Sequence, residues 1–258
     1  MIDPKQRFTN RVDDYVRYRP GYPAALFEML IRECRLGPTS RVADVGAGTG
    51  ILTRGLLDAT AARVVAVEPN AAMRAAADQA LAAEPRFESL DGTAEATGLP
   101  DAHVDLVIAG QAFHWFDAPR ARAEFARILR RGQAGAGIAA LVWNQRADTP
   151  LNREYAELLD RFAPEYPQAH EQERATEPKM RAFFAPLSPR VASFPNAQRL
   201  DGAGLRGRLL SSSYAPAQGH PLHAPMLVRL DEIFRAHEQG GFVTLQYETI
   251  VWYGALSA

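Results

Sequence analysis

The feature that most constrains this chain is a short apolar run that stops at three closely spaced glycines. The run is Arg41–Val45, and it is followed by Gly46, Gly48 and Gly50, directly before Ile51. Such a run predicts a buried strand, and the glycines permit positive φ values and the close approach of a ligand where a Cβ would collide. A helix is predicted next. The sequence therefore predicts a strand-to-helix turn at the carboxyl edge of a parallel sheet, where ligands bind and exposed N–H groups favour polar or anionic partners.

The alternation of strand and helix continues along the first half of the chain. Further apolar runs, separated by helical or turn patterns, lie at 63–69, 86–90, 104–109 and 137–143. Strands that alternate with helices predict a parallel sheet. The alternation then stops, because prolines and charged residues interrupt 145–190. A strand is predicted near 191–200. A long alternating strand at 242–253 follows the turn Gly240-Gly241, which suits an antiparallel last strand.

The spacing of the glycines and one carboxylate indicate which kind of cofactor such a loop could bind. The dinucleotide fingerprint is G-x-G-x-x-G, and its third glycine would fall at Ile51, which opposes a nicotinamide cofactor. Glu68 ends the second predicted strand about 20 residues after the loop, where nucleotide sites place a carboxylate that accepts hydrogen bonds from ribose hydroxyls. Since ribose occurs in several cofactors, Glu68 supports a nucleoside without identifying it. A tight turn without a ligand also fits the loop taken alone.

Composition argues against several classes of function. A net charge of −1 and a pI near 6.6 argue against a nucleic-acid-binding face spread over the whole surface. No apolar run is long enough to span a bilayer, and the first residues lack the apolar core of a signal peptide, so we expect a cytoplasmic protein without membrane contact. The histidines are scattered and Cys34 lies on the apolar face of a predicted helix, so we expect no metal site.

Three segments resemble one family of enzymes. Asp44-Val-Gly-Ala-Gly-Thr-Gly50 resembles motif I of class I S-adenosylmethionine-dependent methyltransferases. Tyr15-Val-Arg-Tyr-Arg-Pro-Gly-Tyr-Pro23 and Gly110-Gln-Ala-Phe-His-Trp-Phe-Asp117 are similar to segments of its small-molecule branch, which contains trans-aconitate methyltransferase. Methyltransferases that act on nucleobase amines carry an Asp/Asn-Pro-Pro-aromatic motif after this strand, and Gly110-Gln-Ala-Phe113 differs from it. The resemblance covers residues 11 to 143 well and the remainder loosely.

The resemblance implies the fold and the organisation of the chain. It implies an α/β, Rossmann-like class I methyltransferase fold, with a seven-stranded, mostly parallel sheet, an antiparallel last strand and an inserted helical lid. We expect a single domain over 1–258. Its parts would be an N-terminal cap segment and helix at 1–37, a cofactor-binding core at 38–144, the lid at 145–190 and the C-terminal part of the sheet at 191–258. Because the lid is broken by prolines and rich in charge, we expect it to make few apolar contacts.

The resemblance also implies the cofactor and the residues that bind it. The cofactor would be S-adenosyl-L-methionine, and the product S-adenosyl-L-homocysteine. An aromatic and an arginine of the N-terminal segment would cover the methionine end, and the turn after the third strand would contact the adenine. The residues assigned to the cofactor in this way are Tyr18, Arg19, Asp44, Gly46, Ala47, Gly48, Gly50, Glu68, Pro69, Met73, Thr93, Ala94, Glu95, Gln111 and Ala112.

The implied reaction transfers a methyl group to an O, N or C nucleophile of a small-molecule acceptor, in a monomer or homodimer that does not bind nucleic acid. His114, directly after the fourth strand, is a candidate general base. The alternative is that His114 packs with Trp115 and Phe116 and holds the loop. Two other functions stay open at this point: a non-catalytic S-adenosylmethionine-binding or regulatory protein, and a nicotinamide-dependent oxidoreductase.

Overall fold

The computed structural model describes residues 16–130, 137–167 and 176–256, and within them the strands form one seven-stranded sheet. In chain order the strands are β1 (Arg41–Val45), β2 (Arg63–Val67), β3 (Phe87–Leu90), β4 (Leu106–Gly110), β5 (Ile138–Arg146), β6 (Arg190–Leu200) and β7 (Val243–Ala255). Across the sheet they follow the order β3-β2-β1-β4-β5-β7-β6. This arrangement confirms the predicted fold class.

Only β7 runs against the other strands. Strands β1 to β5 pair in parallel, and β7 pairs antiparallel with both β5 and β6, so β6 has the direction of the parallel strands. The order of connection reverses between β1 and β4, since β1 leads outward to β2 while β4 leads to β5 on the other side. In such sheets the carboxyl ends of the two strands at the reversal border a crevice that binds ligands.

Helices cover both faces of the sheet. They are α1 (Ala24–Cys34), α2 (Ile51–Ala59), α3 (Ala71–Leu81), α4 (Ala118–Ile128), α5 (Pro150–Phe162), α6 (Thr176–Phe183), α7 (Gly202–Leu210) and α8 (His223–His237). Successive residues of a strand point to opposite faces. In β1, Val42 belongs to the core beneath α1 and α2, whereas Ala43 and Val45 belong to the core beneath α4 and α6. None of the described helices is long and apolar enough to cross a membrane.

A third apolar core lies beyond the sheet's carboxyl edge. It joins α5, α7, α8 and the first part of β7, and we call this assembly the helical cover. Its fully buried side chains include Leu159, Leu205 and Ile233. The expectation that 145–190 makes few apolar contacts is therefore wrong for α5, because the apolar residues of this helix recur at helical spacing and form one buried stripe. The cover also extends past residue 190, since α7 and α8 belong to it.

Helix α6 belongs to the main core instead. Met180, Phe183 and Phe184 are buried with the residues beneath α4. The Phe183 ring stacks edge-on against Phe113, with ring centroids 5.3 Å apart, and against Phe125 at 5.6 Å. Through Phe113 this helix supports the loop that follows β4. The described part of 145–190 is thus anchored to two different cores.

Candidate functional site

A cavity of about 970 Å³ opens at the carboxyl ends of β1, β2, β4 and β5. One side of it is formed by the glycine loop after β1, by Glu68 and by the turn at 93–95. The opposite side is formed by the helical cover and by the end of β5. Ligand pockets commonly measure about 300–1,000 Å³, so this one has room for two small molecules side by side.

Two glycines of the loop are required for different physical reasons. Gly46 and Gly48 have φ values of +72° and +58°, which side chains rarely adopt. A Cβ on Gly46 would lie 2.6 Å from the Cβ of Ala112, so glycine there allows the loop to pack on the segment after β4. Among the described residues, a Cβ on Gly48 would have only the sulfur of Met73 within 4 Å, at 3.9 Å. The space beside Gly48 is therefore cavity.

The loop's N–H groups hold the loop in place. Those of Gly46 and Ala47 donate to the carbonyl of Val67 at 2.8 and 3.2 Å, and that of Gly50 donates to the carbonyl of Ala47 at 3.0 Å. The N–H of Gly48 donates to Oε2 of Glu68 at 2.8 Å. These four donors are satisfied inside the protein. The polar or anionic partners that we expected for the N–H groups of this loop are therefore supplied, at these four positions, by the protein itself.

Glu68 braces the loop and the start of α3. Besides Gly48, it accepts a hydrogen bond through Oε1 from the N–H of Asn70 at 2.8 Å. Asn70 in turn caps α3, since its side chain accepts from the N–H groups of Ala72 and Met73. Only 8% of Glu68 is exposed, and this burial raises the pKa of its carboxyl. Each carboxylate oxygen keeps a lone pair for a ligand in the cavity.

Asp44 carries the site's most perturbed carboxyl. It is 1% exposed at the end of β1, and its Oδ2 accepts a hydrogen bond from the Thr53 hydroxyl at 2.6 Å. Burial raises the pKa of this carboxyl to about 7, although the bond from Thr53 opposes the shift. Its Oδ1 is buried without a hydrogen-bond partner among the described residues, and the same holds for Oγ1 of Thr49. Both residues line the cavity, so the loop presents polar atoms that a ligand could satisfy.

The segment after β4 prolongs the pairing of β4 with β5. Gln111 has a φ of +55°. Its side-chain amide donates to the carbonyl of Asn144 at 3.3 Å and accepts from the N–H of Asn144 at 3.1 Å. The amide thus makes the two hydrogen bonds that a neighbouring strand's backbone would make, and it holds the ends of β4 and β5 together. Gln111 lines the cavity, but its amide is engaged with β5.

His114 lies in a short 3-10 helix, Phe113–Trp115, at the cavity wall. Its ring centroid is 4.6 Å from that of Trp115 and 5.4 Å from that of Trp143, which it meets edge-on. The imidazole is therefore both packed against aromatic rings and in contact with the cavity. This position is compatible with either role that the sequence leaves open.

The N-terminal segment reaches the cavity through Arg19, Pro20 and Tyr22. It is fixed there because the carbonyl of Gly21 accepts hydrogen bonds from the side-chain amides of Asn144 at 3.3 Å and Asn196 at 2.9 Å. These two residues belong to β5 and β6, so the segment is tied to the sheet at the mouth of the cavity.

Residues 43–136 match the family model described as a methyltransferase domain. The chain has the class I methyltransferase fold. An uncharacterized methyltransferase of Mycobacterium tuberculosis is 41% identical over 161 residues, which are 62% of this chain and 61% of that protein. An uncharacterized methyltransferase-like protein of Schizosaccharomyces pombe is 33% identical over 168 residues, or 65% of this chain and 62% of that protein.

The match to these relatives thus spans less than two thirds of their length. A solved structure covers more. The chain is 28% identical to a candidate type II methyltransferase from Anaeromyxobacter dehalogenans, with a TM-score of 0.66 and coverage of 93% of this chain and all of the other. Both the sheet and its helical cover therefore lie in a region that superimposes on a methyltransferase fold.

Most residues that the sequence assigned to a cofactor line this cavity. They are Arg19, Asp44, Gly46, Ala47, Gly48, Glu68, Pro69, Met73, Thr93, Ala94, Glu95, Gln111 and Ala112. Tyr18 and Gly50 do not line it. The ring of Tyr18 lies against α7, where a Cβ on Gly207 would collide with it. Gly50 caps α2 with a φ of +82° and faces Ala77 and Leu81 of α3.

Sequence reasoning missed the far side of the cavity. Its polar lining includes Arg146, Tyr166, Arg208, Tyr214 and Tyr247. Tyr247 lies at an inward position of the alternating strand β7, which the period of two could have indicated. Arg208 lies on the buried face of α7, which also carries buried leucines. An arginine at an apolar position of a helix is the signal that could have identified it.

Proposed function

We propose that this protein transfers the methyl group of S-adenosylmethionine to an O, N or C nucleophile of a small-molecule acceptor, with S-adenosylhomocysteine as product. The observation that carries the proposal is the pair of buried carboxylates, Asp44 and Glu68, on either side of a glycine loop whose N–H groups are already satisfied. This arrangement suits a ligand with positive charge and a ribose.

The same arrangement opposes the nicotinamide alternative. A dinucleotide places its pyrophosphate on free N–H groups at the start of a helix. Here the N–H groups of Gly46, Ala47 and Gly48 have partners, and the carboxylate of Glu68 lies 2.8 Å from the last of them. A pyrophosphate at this loop would meet negative charge and few donors. A cationic amino acid joined to a nucleoside would instead be attracted by this negative charge.

The residues present fit this cofactor. Asp44 Oδ1, which has no partner among the described residues, would accept from the ammonium group, and Glu68 would accept from the ribose hydroxyls. The open space beside Gly48 admits the ligand's chain where a side chain would exclude it. Met73, Thr93 and their neighbours would contact the base. When bound, S-adenosylmethionine supplies an electrophilic methyl group on a sulfonium.

The protein's contribution is chiefly to hold the acceptor beside that methyl group. Alignment of two reactants is worth about 7–11 kcal/mol in favourable cases. The helical cover closes the cavity from the side opposite the loop and would limit the entry of water. His114, which lines the cavity, would accept a proton from an acceptor hydroxyl, a step worth about 10²–10⁴-fold in rate. An acceptor that is already deprotonated would leave His114 a packing role only.

Isothermal titration calorimetry tests the proposed cofactor. Wild type should bind S-adenosylhomocysteine and should not bind NAD or NADP. Gly48→Val should abolish binding, because its side chain would occupy cavity space at a positive φ. Gly98→Val is the matched control: Gly98 has a φ of +79° with nothing within 4 Å of its Cβ position, and it does not line the cavity. Binding of NAD by wild type, without binding of S-adenosylhomocysteine, would contradict the proposal.

The role of His114 has its own test once an acceptor is known. His114→Asn should leave the affinity for S-adenosylhomocysteine unchanged. If the imidazole is the base, kcat should fall and the acid limb of the pH profile should change. Unchanged kcat would assign His114 to packing against Trp115 and Trp143.

A further inference from the structure

Two guanidinium groups lie in the cavity wall opposite the glycine loop. Arg146 ends β5 and Arg208 lies in α7, so the sheet and the helical cover each supply one. Arg208 is only 7% exposed, and Arg146 is half-buried. Both lie among the same tyrosines, Tyr155 and Tyr214.

Neither arginine has a carboxylate partner in the described part of the chain. Arg146 donates to the hydroxyl of Tyr166 at 2.9 Å and lies over the rings of Tyr155 and Tyr166, with centroid distances of 5.4 and 5.7 Å. Arg208 donates a long hydrogen bond, 3.4 Å to Oγ of Ser212, and lies beside the hydroxyl of Tyr247, while its Nε is buried without a hydrogen-bond partner among the described residues. No described ion pair within 4.0 Å includes either residue.

The tyrosines do not neutralise this charge. Burial raises the pKa of the Tyr155 phenol to about 12, so this ring stays neutral at physiological pH. Arginine also keeps its proton under all ordinary conditions. Two positive charges therefore face a partly closed cavity next to tyrosines and, among the described residues, without a carboxylate within ion-pair distance, an arrangement that is costly unless an anion completes it.

A third arginine of the cavity shows the contrast. Arg153 lines the same cavity from α5, but its guanidinium donates to the carboxylate of Asp148 at 2.7 Å. Its charge is therefore balanced within the protein, and 56% of its side chain is exposed. Among the described residues, a carboxylate therefore pairs with Arg153 and none pairs with Arg146 or Arg208.

We infer that the acceptor carries an oxyanion, a carboxylate or a phosphate, which binds to Arg146 and Arg208 while its reacting atom faces the cofactor. The inference rests on the proposed function, since it names the acceptor class of that same cavity. Guanidinium groups bind both anions through paired N–H donors, and the hydroxyls of nearby tyrosines add neutral donors. The arginines anchor and orient the acceptor and take no part in the transfer itself.

Calorimetry on the protein saturated with S-adenosylhomocysteine tests the inference. The probes are succinate, benzoate and inorganic phosphate, with neutral succinamide as the matched control for charge. At least one anion should bind and succinamide should not. Comparison of the two carboxylates with phosphate identifies the class of anion. Arg146→Met and Arg208→Met should each weaken that anion by about 10- to 100-fold, the effect of losing a hydrogen bond to a charged group. Arg206→Met is the matched control, because Arg206 lies in the same helix as Arg208 but pairs with Asp231 and does not line the cavity; this variant should leave the affinity for the anion unchanged.

A second readout separates ligand binding from a structural role. Replacing a buried charge that has no counter-ion by methionine should leave the Tm of the ligand-free protein unchanged or raise it. A structural ion pair would give the opposite result. The affinity for S-adenosylhomocysteine should stay the same in each variant, which also shows that it is folded. Should Arg208→Met not fold, Arg208→Lys and Arg146→Met carry the test.

The failures of the two proposals are distinguishable. If wild type does not bind S-adenosylhomocysteine, the proposed function is wrong. If it binds S-adenosylhomocysteine but none of the anions, or binds succinamide as well as succinate, the oxyanion inference alone is wrong. Equal losses of anion affinity in Arg146→Met and Arg206→Met would also overturn it. A loss of S-adenosylhomocysteine affinity in folded Arg146→Met would assign that arginine to the cofactor.

Discussion

Asp44 should make the binding of S-adenosylhomocysteine depend on pH. Burial raises the pKa of its carboxyl to about 7 in the ligand-free protein. An ammonium group beside Oδ1 would favour the carboxylate and return the pKa towards its ordinary value of about 3.9. When binding lowers the pKa of a carboxyl, the affinity is highest at pH values where that carboxyl is already ionised in the ligand-free protein. For Asp44 these values lie above its ligand-free pKa of about 7. We therefore expect the affinity to be constant above pH ~7 and to decline as the pH falls below it.

The size of the effect follows from the ionised fraction. A carboxyl with a pKa of about 7 is almost fully ionised at about pH 8 and about 3% ionised at about pH 5.5. The Kd should thus rise about 30-fold between these values, which corresponds to about 2 kcal/mol of binding free energy. Near pH ~7, binding should release about half a proton.

Calorimetric titration at several pH values, each in two buffers of different ionisation enthalpy, measures both the Kd and the protons released. Asp44→Asn keeps the size of the side chain but cannot ionise, so it should bind weakly with little dependence on pH. A change in the wild-type Kd of less than about threefold over this range would refute the reasoning. So would the same pH dependence in Asp44→Asn.

Three further outcomes are expected. Asp44→Asn should raise the Tm of the ligand-free protein near pH ~8 and change it little near pH ~4, because a carboxyl whose pKa rises on folding costs stability only above its unfolded pKa. Equal shifts of the Tm at both pH values in scanning calorimetry would contradict this. Glu68→Ala should weaken S-adenosylhomocysteine binding by about 1.5–3 kcal/mol. It should also lower the Tm, because the N–H groups of Gly48 and Asn70 lose their acceptor. Unchanged affinity on titration would show that Glu68 is not part of the site. Leu159→Ala should lower the free energy of unfolding by about 2–5 kcal/mol, since this side chain is fully buried in the helical cover. If urea denaturation shows that the free energy of unfolding falls by less than about 1 kcal/mol, the cover has no packed core.

The cofactor side of the cavity could be predicted from the sequence because its requirements are local. Gly48 is needed where the backbone takes a positive φ beside open space, and both conditions belong to a single short loop. Asp44 and Glu68 end consecutive parallel strands, so strand prediction alone brings them to one edge. The antiparallel last strand likewise followed from a turn signal and an alternating pattern.

The far side could not be predicted in the same way. Arg146, Arg208 and Tyr247 come from three elements that are distant in the sequence, and only the packing of α7 and β7 brings them to one cavity. The charged composition of 145–190 was also misleading, because the apolar stripe of α5 determines how that helix packs. Tyr18 shows the reverse case: the resemblance assigns it to the cofactor, yet its ring packs on Gly207 outside the cavity.

A crystal structure of the protein with S-adenosylhomocysteine tests the central claim most directly. The claim predicts the ligand's ammonium at Oδ1 of Asp44, its ribose hydroxyls at Glu68, and its sulfur facing the half of the cavity that holds Arg146 and Arg208. A ligand bound with its nucleoside and amino-acid ends exchanged, or bound away from the Gly46–Gly48 loop, would contradict it.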